Sequence, residues 1–295
     1  MIFKRAMPTV IIDCHSILHT LRYAGRKFYT GGKDYTGGKD YQLISQFFQS
    51  LDHLSLTLYS NLFLFVWDSP INKRKQEYSW YKQGRDIKTD TELDKEYLDH
   101  CFEQFRILRD DILPGMGYQC FMEEGYEADD IIASIVMNNK DNYIFVTTDA
   151  DMYQLLPYAR MYDFKHKQIL NAEWFEQTCH FPAGDWWKVK MIAGCSTDTV
   201  PGVVGVGEKT AIQYLNGTLG EKTKKYQSIK EASPEMLERN EKLVRLPLSG
   251  CPIMRPAVVS APSFAMFQHF CYKYSLYRFQ SHANLQNIRN NLGMR

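Results

Sequence analysis

The stretch "GYEADDIIASIV" (residues 125–136) sets Glu127, Asp129 and Asp130 within four positions at the mouth of an apolar, helix-like run. Carboxylates suit a helix N-terminus, where unpaired N–H groups favour anions, and taken alone the group reads equally well as helix capping. Glu127 and Asp130 share one helix face, however, where like charges repel, and Asp129 adds a third charge beside them. Three further aspartates close short apolar runs: Asp13 after "TVII", Asp68 after "LFLFVW" and Asp149 after "NYIFVTT", with Asp151 two residues on. Asp149 or Asp151 alone would be an ordinary cap. Seven carboxylates on one edge of one sheet are harder to leave unpaired, because clustered like charges repel strongly at low dielectric. Bound divalent cations relieve that repulsion. A donor set that is all oxygen, with no His or Cys at metal spacing, selects hard ions such as Mg2+ or Mn2+ over zinc. Carboxylate clusters holding such ions about 3.5–4 Å apart hydrolyse phosphodiesters in line, activating a water and neutralising the leaving oxygen.

These side chains need a scaffold that brings remote stretches together. The three apolar runs are short and rich in β-branched or aromatic residues, as strands buried on both faces are. Between and after them lie segments with helical spacing, "YQLISQFFQSLDHL" and "EADDIIASIV". That alternation predicts an α/β fold with a mostly parallel central sheet flanked by helices. In open sheets of this kind ligands bind outside the carboxyl ends of the strands, where Asp13, Asp68 and Asp149 would point. Near residue 180 the texture changes to short helix-like pieces broken by Gly and Pro. The expected organisation is an α/β domain over 1–180 and a second, helical region over 181–295. In the latter, "FAMFQHFCYKYSLYRF" is expected to be a helix packing back on the core.

With 295 residues, 44% of them hydrophobic, the chain can bury a full core. No apolar run approaches the 18 residues of a membrane-spanning helix, and the apolar stretch before Asp13 is too short for a signal peptide. Seven scattered cysteines show no C-x-x-C pair, so neither a disulfide framework nor a zinc site is expected. A soluble, cytoplasmic protein with reduced thiols fits this pattern. The formal net charge is +1, yet with Asp198 and the seven carboxylates above set aside the remainder carries +9. The two signs are segregated.

A basic segment follows Asp68: Lys73, Arg74, Lys75, Lys82, Arg85 and Lys88 are interleaved with Tyr78, Trp80 and Tyr81. Such interleaving suits single-stranded nucleic acid, through phosphate attraction and base stacking; a solvated helix face with inward aromatics is the plainer reading. "GVVGVGEKT" (202–210) resembles a nucleotide-binding loop, but Glu208 intervenes between Gly207 and Lys209 and puts a carboxylate where phosphates would sit. What survives is a Gly-rich hairpin feeding a helix N-terminus, able to hold a backbone phosphate, or a plain tight turn. "YTGGKD" occurs twice, at 29–34 and 35–40, and reads as a duplicated loop insertion, with Lys33 and Lys39 on a phosphate backbone as the alternative. His15 and His19 suit helix packing or the surface, and Trp186 and Trp187 suit the core.

Taken in order, Asp13, Asp68, "YKQGR", "GYEADDIIA", "TTDADMYQL" and "AGCSTDTVPGVVGVGEKTA" resemble the motifs of the 5′ nuclease or flap endonuclease family, especially its phage branch and the nuclease domain of bacterial DNA polymerase I. The resemblance implies a PIN-like 5′ nuclease fold, a helical arch within residues 70–110, and a helix–three-turn–helix element that grips duplex DNA. It implies a first metal site at Asp13, Asp68, Glu127 and Asp129, with Asp130 nearby, and a second at Asp149, Asp151 and Asp198. Lys82 and Arg85 match arch residues that engage the scissile phosphate, with Tyr81 an aromatic beside them. Lys73, Arg74, Lys75 and Lys88 would contact DNA, as would Gly202, Gly205, Gly207, Lys209 and Thr210 in the hairpin, which in this family can also hold K+ on backbone carbonyls. Where the family usually has "GDSSDN" this chain reads "GCSTDT", placing Cys195 at an acidic second-site position and weakening that site for Mg2+. The implied function is metal-dependent hydrolysis of DNA at junctions of a 5′ single strand and duplex, by a monomer acting in replication or repair. The alternatives are a ribonuclease acting on RNA primers or RNA–DNA hybrids, and a junction-binding protein that has lost catalysis.

Overall fold

The computed structural model of the protein describes residues 7–26, 40–83 and 91–295. Arg85, Lys88 and the tandem "YTGGKD" repeat, apart from Asp40, lie outside the described residues. Thr9–Asp13 (β1) leads into Cys14–Gly25 (α1), then Gln42–Leu58 (α2), Leu62–Val66 (β2), Lys73–Glu77 (α3) and Glu92–Ile107 (α4). A π-helical turn at Leu108–Ile112 continues α4 into the short Leu113–Gly115 (α5). Gln119–Phe121 (β3), Ala128–Asn138 (α6), Tyr143–Thr147 (β4), Arg160–Asp163 (β5), Gln168–Leu170 (β6) and Ala172–Cys179 (α7) follow. Next come Trp186–Ala193 (α8), Gly194–Cys195 (β7), Val200–Pro201 (β8) and Glu208–Leu215 (α9). Lys224–Lys230 (α10), Pro234–Val244 (α11), Phe264–Lys273 (α12) and His282–Asn291 (α13) complete the described elements.

The six-stranded sheet has the order β3-β2-β1-β4-β5-β6 and is parallel through β5, with β6 antiparallel at the edge. From β1 the chain builds outward to β2 and β3, then crosses to the other side of β1 for β4 and β5. The order therefore reverses between β1 and β4, which is where open α/β sheets leave a crevice beyond their carboxyl ends.

Period-two alternation sorts each strand onto two cores. Val10, Ile12, Phe63, Phe65, Ile144 and Val146 pack with Leu18, Phe47, Phe48, Phe105 and Phe267, from α1, α2, α4 and α12. Ile11, Leu64, Val66 and Phe145 pack with Ile131, Ile132 and Ile135 of α6 and Val189 of α8. Full burial of each such side chain contributes about 1.5–3 kcal/mol. Of the aromatic stretch 264–279, Phe264–Lys273 form the expected helix, α12, which packs on the first core, while Tyr277–Phe279 form a separate 3-10 turn. Among the described residues no helix is long and apolar enough to cross a membrane. All seven cysteines are free.

Candidate active site

The crevice between β1 and β4 gathers carboxylates from stretches remote in sequence. Asp13 ends β1 and caps α1: its Oδ1 accepts from Ser16 N at 3.1 Å and its Oδ2 from Thr147 Oγ1 at 2.7 Å, a bond that ties β1 to β4. Ser16 Oγ also meets Thr148 Oγ1 at 2.8 Å, closing the same seam. Asp68, two residues beyond β2, accepts from Ala128 N at 2.7 Å and so occupies the N-terminus of α6. His15 fixes it from the other side, since its Nδ1 accepts from Asp68 N at 3.1 Å. His15 also packs edge-on against Trp67 and against Phe105 of α4, so the expected helix-packing role holds and the bond to Asp68 is added to it. Asp149, two residues beyond β4, caps the 3-10 turn Ala150–Leu155 by accepting from Asp151 N at 2.8 Å.

These groups repel one another. Burial, then Asp68 and later Asp149, push the Asp13 carboxyl up to about 7, against the pull of the Thr147 and Ser16 hydrogen bonds. Asp149 is pushed up to about 6 by burial and then by Asp151. Asp129 is held well above its ordinary value by burial, Asp149 and Asp13. At Asp68 burial acts upward too, but His15, Lys82 and the Ala128 N–H outweigh it and hold the carboxyl below its usual value. Crowded oxygen donors that resist ionisation side by side fit a hard divalent cation, which would favour their charged forms.

On the α6 side the structure reassigns three residues. Arg74 is buried, not exposed to DNA: its Nη1 and Nη2 reach Asp130 Oδ2 and Oδ1 at 2.6 and 2.8 Å, Nη1 reaches Glu127 Oε2 at 3.1 Å, and Nε donates to Leu243 O. Asp130 is fully buried and also accepts from Glu127 N and Leu248 N, so its oxygens serve the fold and are not available as a metal ligand. Tyr81 is buried as well, and its hydroxyl donates to Glu127 Oε2 and Asp198 Oδ2, each at 3.0 Å. It positions two carboxylates, and its ring is buried rather than an exposed stacking face. Lys82 follows with φ 56°; its N–H donates to Asp198 O at 2.9 Å, and its ammonium pairs with Glu127 and lies 3.9 Å from Asp198 Oδ2.

A second group joins this one. Donor atoms of Asp151, Cys195 and Asp198 all lie within 4.8 Å of one another. Lys190, on the buried side of α8, bridges Asp151 Oδ1 and Glu208 Oε1, each at 2.7 Å. The sequence reading missed Lys190. Its signal is the spacing of Trp186, Val189, Lys190 and Ala193, which sets a lysine on the apolar stripe of a helix.

The remaining candidates divide. Lys73 and Lys75 are exposed, with Lys73 Nζ 3.8 Å from the centroid of Tyr126. Gly202 is needed for close approach: an added Cβ would lie 2.2 Å from the backbone of Ala193. Gly205 takes φ +76°, and Gly207 caps α9 with open space around it. Lys209 is exposed and Thr210 partly so. Trp186 is buried in the second core, donating to Ala150 O, while Trp187 is only partly covered.

Residues 8–180 match the model of the 5′-3′ exonuclease, N-terminal resolvase-like domain, and the chain belongs to that family. DNA polymerase I of Deinococcus radiodurans is 31% identical over 166 residues, 54% of this chain and 16% of the polymerase. The flap endonuclease Xni of Cronobacter sakazakii is 36% identical over 112 residues, 35% of this chain and 43% of Xni. The chain thus spans well under two thirds of these curated relatives. Among solved structures, the 5′-exonuclease of T5 with bound zinc superimposes with a TM-score of 0.64 at 18% identity, covering 97% of this chain and 99% of that one. The catalytic core of Rad2 in complex with DNA gives 0.58 at 15% identity, covering 97% and 92%. Both share the fold.

Proposed function

We propose that the chain is a divalent-metal-dependent 5′ nuclease that hydrolyses DNA phosphodiesters near the junction of a 5′ single strand and duplex, as a 5′-3′ exonuclease or flap endonuclease. The observation that carries this reading is the placement of Asp13 at the end of β1, Asp68 beyond β2, Asp129 in the first turn of α6 and Asp149 beyond β4, all on the carboxyl edge of one parallel sheet, with Asp13 bonded to Thr147 of β4 and Asp68 to Ala128 of α6. Asp13, Asp68, Glu127 and Asp129 would hold one ion, and Asp149, Asp151 and Asp198 a second. Mg2+ or Mn2+, when bound, supplies Lewis acidity at the phosphate and at the attacking water. Lys82, poised over Glu127 and Asp198, offers its ammonium to the phosphate oxygens that gain charge in the transition state. Tyr81 keeps its proton, because burial, Glu127 and Asp198 hold the phenol well above its ordinary value, and it fixes both carboxylates by donation. The N-terminus of α9 at Gly207, with exposed Lys209 beside it, presents N–H groups to duplex phosphates and so reads shape, not base sequence.

The test is a product map on labelled 5′-flap DNA with Mg2+, Mn2+ and Ca2+, beside matched RNA–DNA and blunt substrates. Products at the junction with Mg2+ or Mn2+ are expected. No product with any ion would sink the reading, and faster cutting of RNA would transfer it to a ribonuclease.

A further inference from the structure

The carboxyl end of α11 is finished by side chains that reach it from the carboxylate groups. A helix leaves its last carbonyls without partners of its own. Here Leu243 O accepts from Arg74 Nε at 3.1 Å and Val244 O from Gln154 Nε2 at 3.0 Å. The chain beyond the helix repeats the pattern, for Leu246 N donates to Gln154 Oε1 at 2.9 Å and Leu248 N to Asp130 Oδ1 at 2.7 Å. Arg74 and Asp130 stand with Glu127 on the α6 side. Gln154 comes from the other side, from the 3-10 turn Ala150–Leu155 that carries Asp151. Residues 243–248 are therefore gripped by both groups at once.

Gln154 is 4% exposed, and its amide is fully used. A glutamine offers two N–H hydrogens and a carbonyl oxygen; one hydrogen goes to Val244 O, the other to Asp151 O at 2.9 Å, and the oxygen takes Leu246 N. All three partners are main chain, so the side chain acts as a spacer of fixed length between the Asp151 turn and α11. That turn needs one, because 3-10 bonding is poorer than α-helical bonding and holds its residues less firmly. Asp198 is referred to the same helix. Asn240 of α11, fully buried, donates through Nδ2 to Met191 O at 3.0 Å and to Pro201 O at 2.8 Å, which fixes α8 and β8 on either side of the Cys195–Asp198 segment. α11 thus serves as one frame for both acids.

We propose that Gln154 is a positioning residue for the second ion: it sets Asp151 relative to Asp198 by tying the Asp151 main chain to α11. The role of that ion rests on the nuclease reading above; the grip on α11 does not. The test measures Mn2+ binding to the full chain by titration calorimetry, beside cleavage of 5′-flap DNA. The wild type is expected to show a tighter and a weaker ion. Gln154→Leu should weaken the weaker ion by roughly tenfold, as loss of a group that orients a ligand from behind does, and leave the tighter ion unchanged. At low Mn2+ kcat should fall by the same factor and return at saturating Mn2+, with KM for DNA unmoved. Gln154→Asn keeps the amide but is too short to span both carbonyls, so it should give an intermediate loss, and it carries the comparison should Gln154→Leu not fold. Ser134→Ala removes bonds to Pro252 O and Met254 N that reach neither carboxylate group, and it should bind both ions as the wild type does. Unchanged binding of the weaker ion in both Gln154 variants overturns the proposal, as does a wild type that binds a single ion. So does equal weakening of both ions, or the same loss in Ser134→Ala, either of which marks general loosening. Two bound ions without cleavage by the wild type remove only the nuclease reading, and cleavage with normal ion binding in the Gln154 variants removes only the positioning role.

Discussion

Cys195 Sγ donates to Asp151 Oδ2 at 3.0 Å, while Lys190 Nζ holds the other oxygen of the same carboxylate at 2.7 Å. Burial, then Asp151 and Asp198, push the thiol up to about 12, so at neutral pH it is an uncharged donor. A neutral sulfur where the family resemblance expects an acid would remove both a negative charge and a hard ligand. Cys195→Asp is therefore expected to lower the Mg2+ concentration for half-maximal cleavage, by roughly tenfold. A Mg2+ titration that does not move would refute this account of the site.

Asp149 couples electrostatically to both carboxylate groups: its charge helps to raise Asp13 and Asp129, and Asp151 and Asp198 help to raise it. Asp149→Ala should reduce flap cleavage by at least about a hundredfold while gel-shift affinity for the same DNA persists. Parallel loss of binding and cleavage would place Asp149 in DNA contact instead.

The raised carboxyls make metal-free stability depend on pH. Asp13 keeps its proton up to about 7 in the folded chain and releases it near 3.8 when unfolded, so between those values the native state binds the extra proton. Stability should therefore fall as pH rises from about 4 to about 7 and then level off, a loss on the order of a few kcal/mol. Mn2+ favours the ionised carboxylates, so it should raise the melting temperature more at pH 8 than at pH 5. Melting curves that are flat over this range, with and without Mn2+, would contradict the crowded-carboxylate picture.

Arg74 and Lys75 are sequence neighbours with opposite surroundings. Arg74→Ala leaves buried Asp130 without its cation and should destabilise the fold by about 3–5 kcal/mol in urea unfolding. Lys75→Ala should change stability by less than about 0.5 kcal/mol but reduce the salt slope of DNA binding by about one. Reversed outcomes would mean that the two side chains had been assigned to the wrong tasks.

Those neighbours also show where a sequence is legible. Asp13, Asp68 and Asp149 follow apolar β-branched runs, so their place at the carboxyl ends of strands is a local matter. Arg74 and Asp130 lie 56 residues apart and each looks like a surface charge beside others of its sign; their pairing depends on α3 docking over α6, which no periodicity records. Tyr81 likewise reads as one more aromatic in a basic stretch, and only the tertiary fold turns its hydroxyl onto Glu127 and Asp198. The strands β3, β5 and β6 are three or four residues long, too short to establish an alternation, and β3 and β6 keep polar or exposed positions. The seam of Ser16, Thr147 and Thr148 was missed for a related reason: hydroxyl residues beside aspartates look like ordinary cap and turn chemistry.

One small grip has a mechanical corollary. Tyr81 spans Glu127 and Asp198 through its hydroxyl, and the next residue, Lys82, bonds the Asp198 carbonyl through its own amide. A pull on the polypeptide just beyond Lys82 is thus felt at once by two acids contributed by different parts of the chain. Displacing Tyr81 or Lys82 would therefore disturb both acids together, so one corner of the backbone sets the spacing between parts of the chain that lie far apart in sequence.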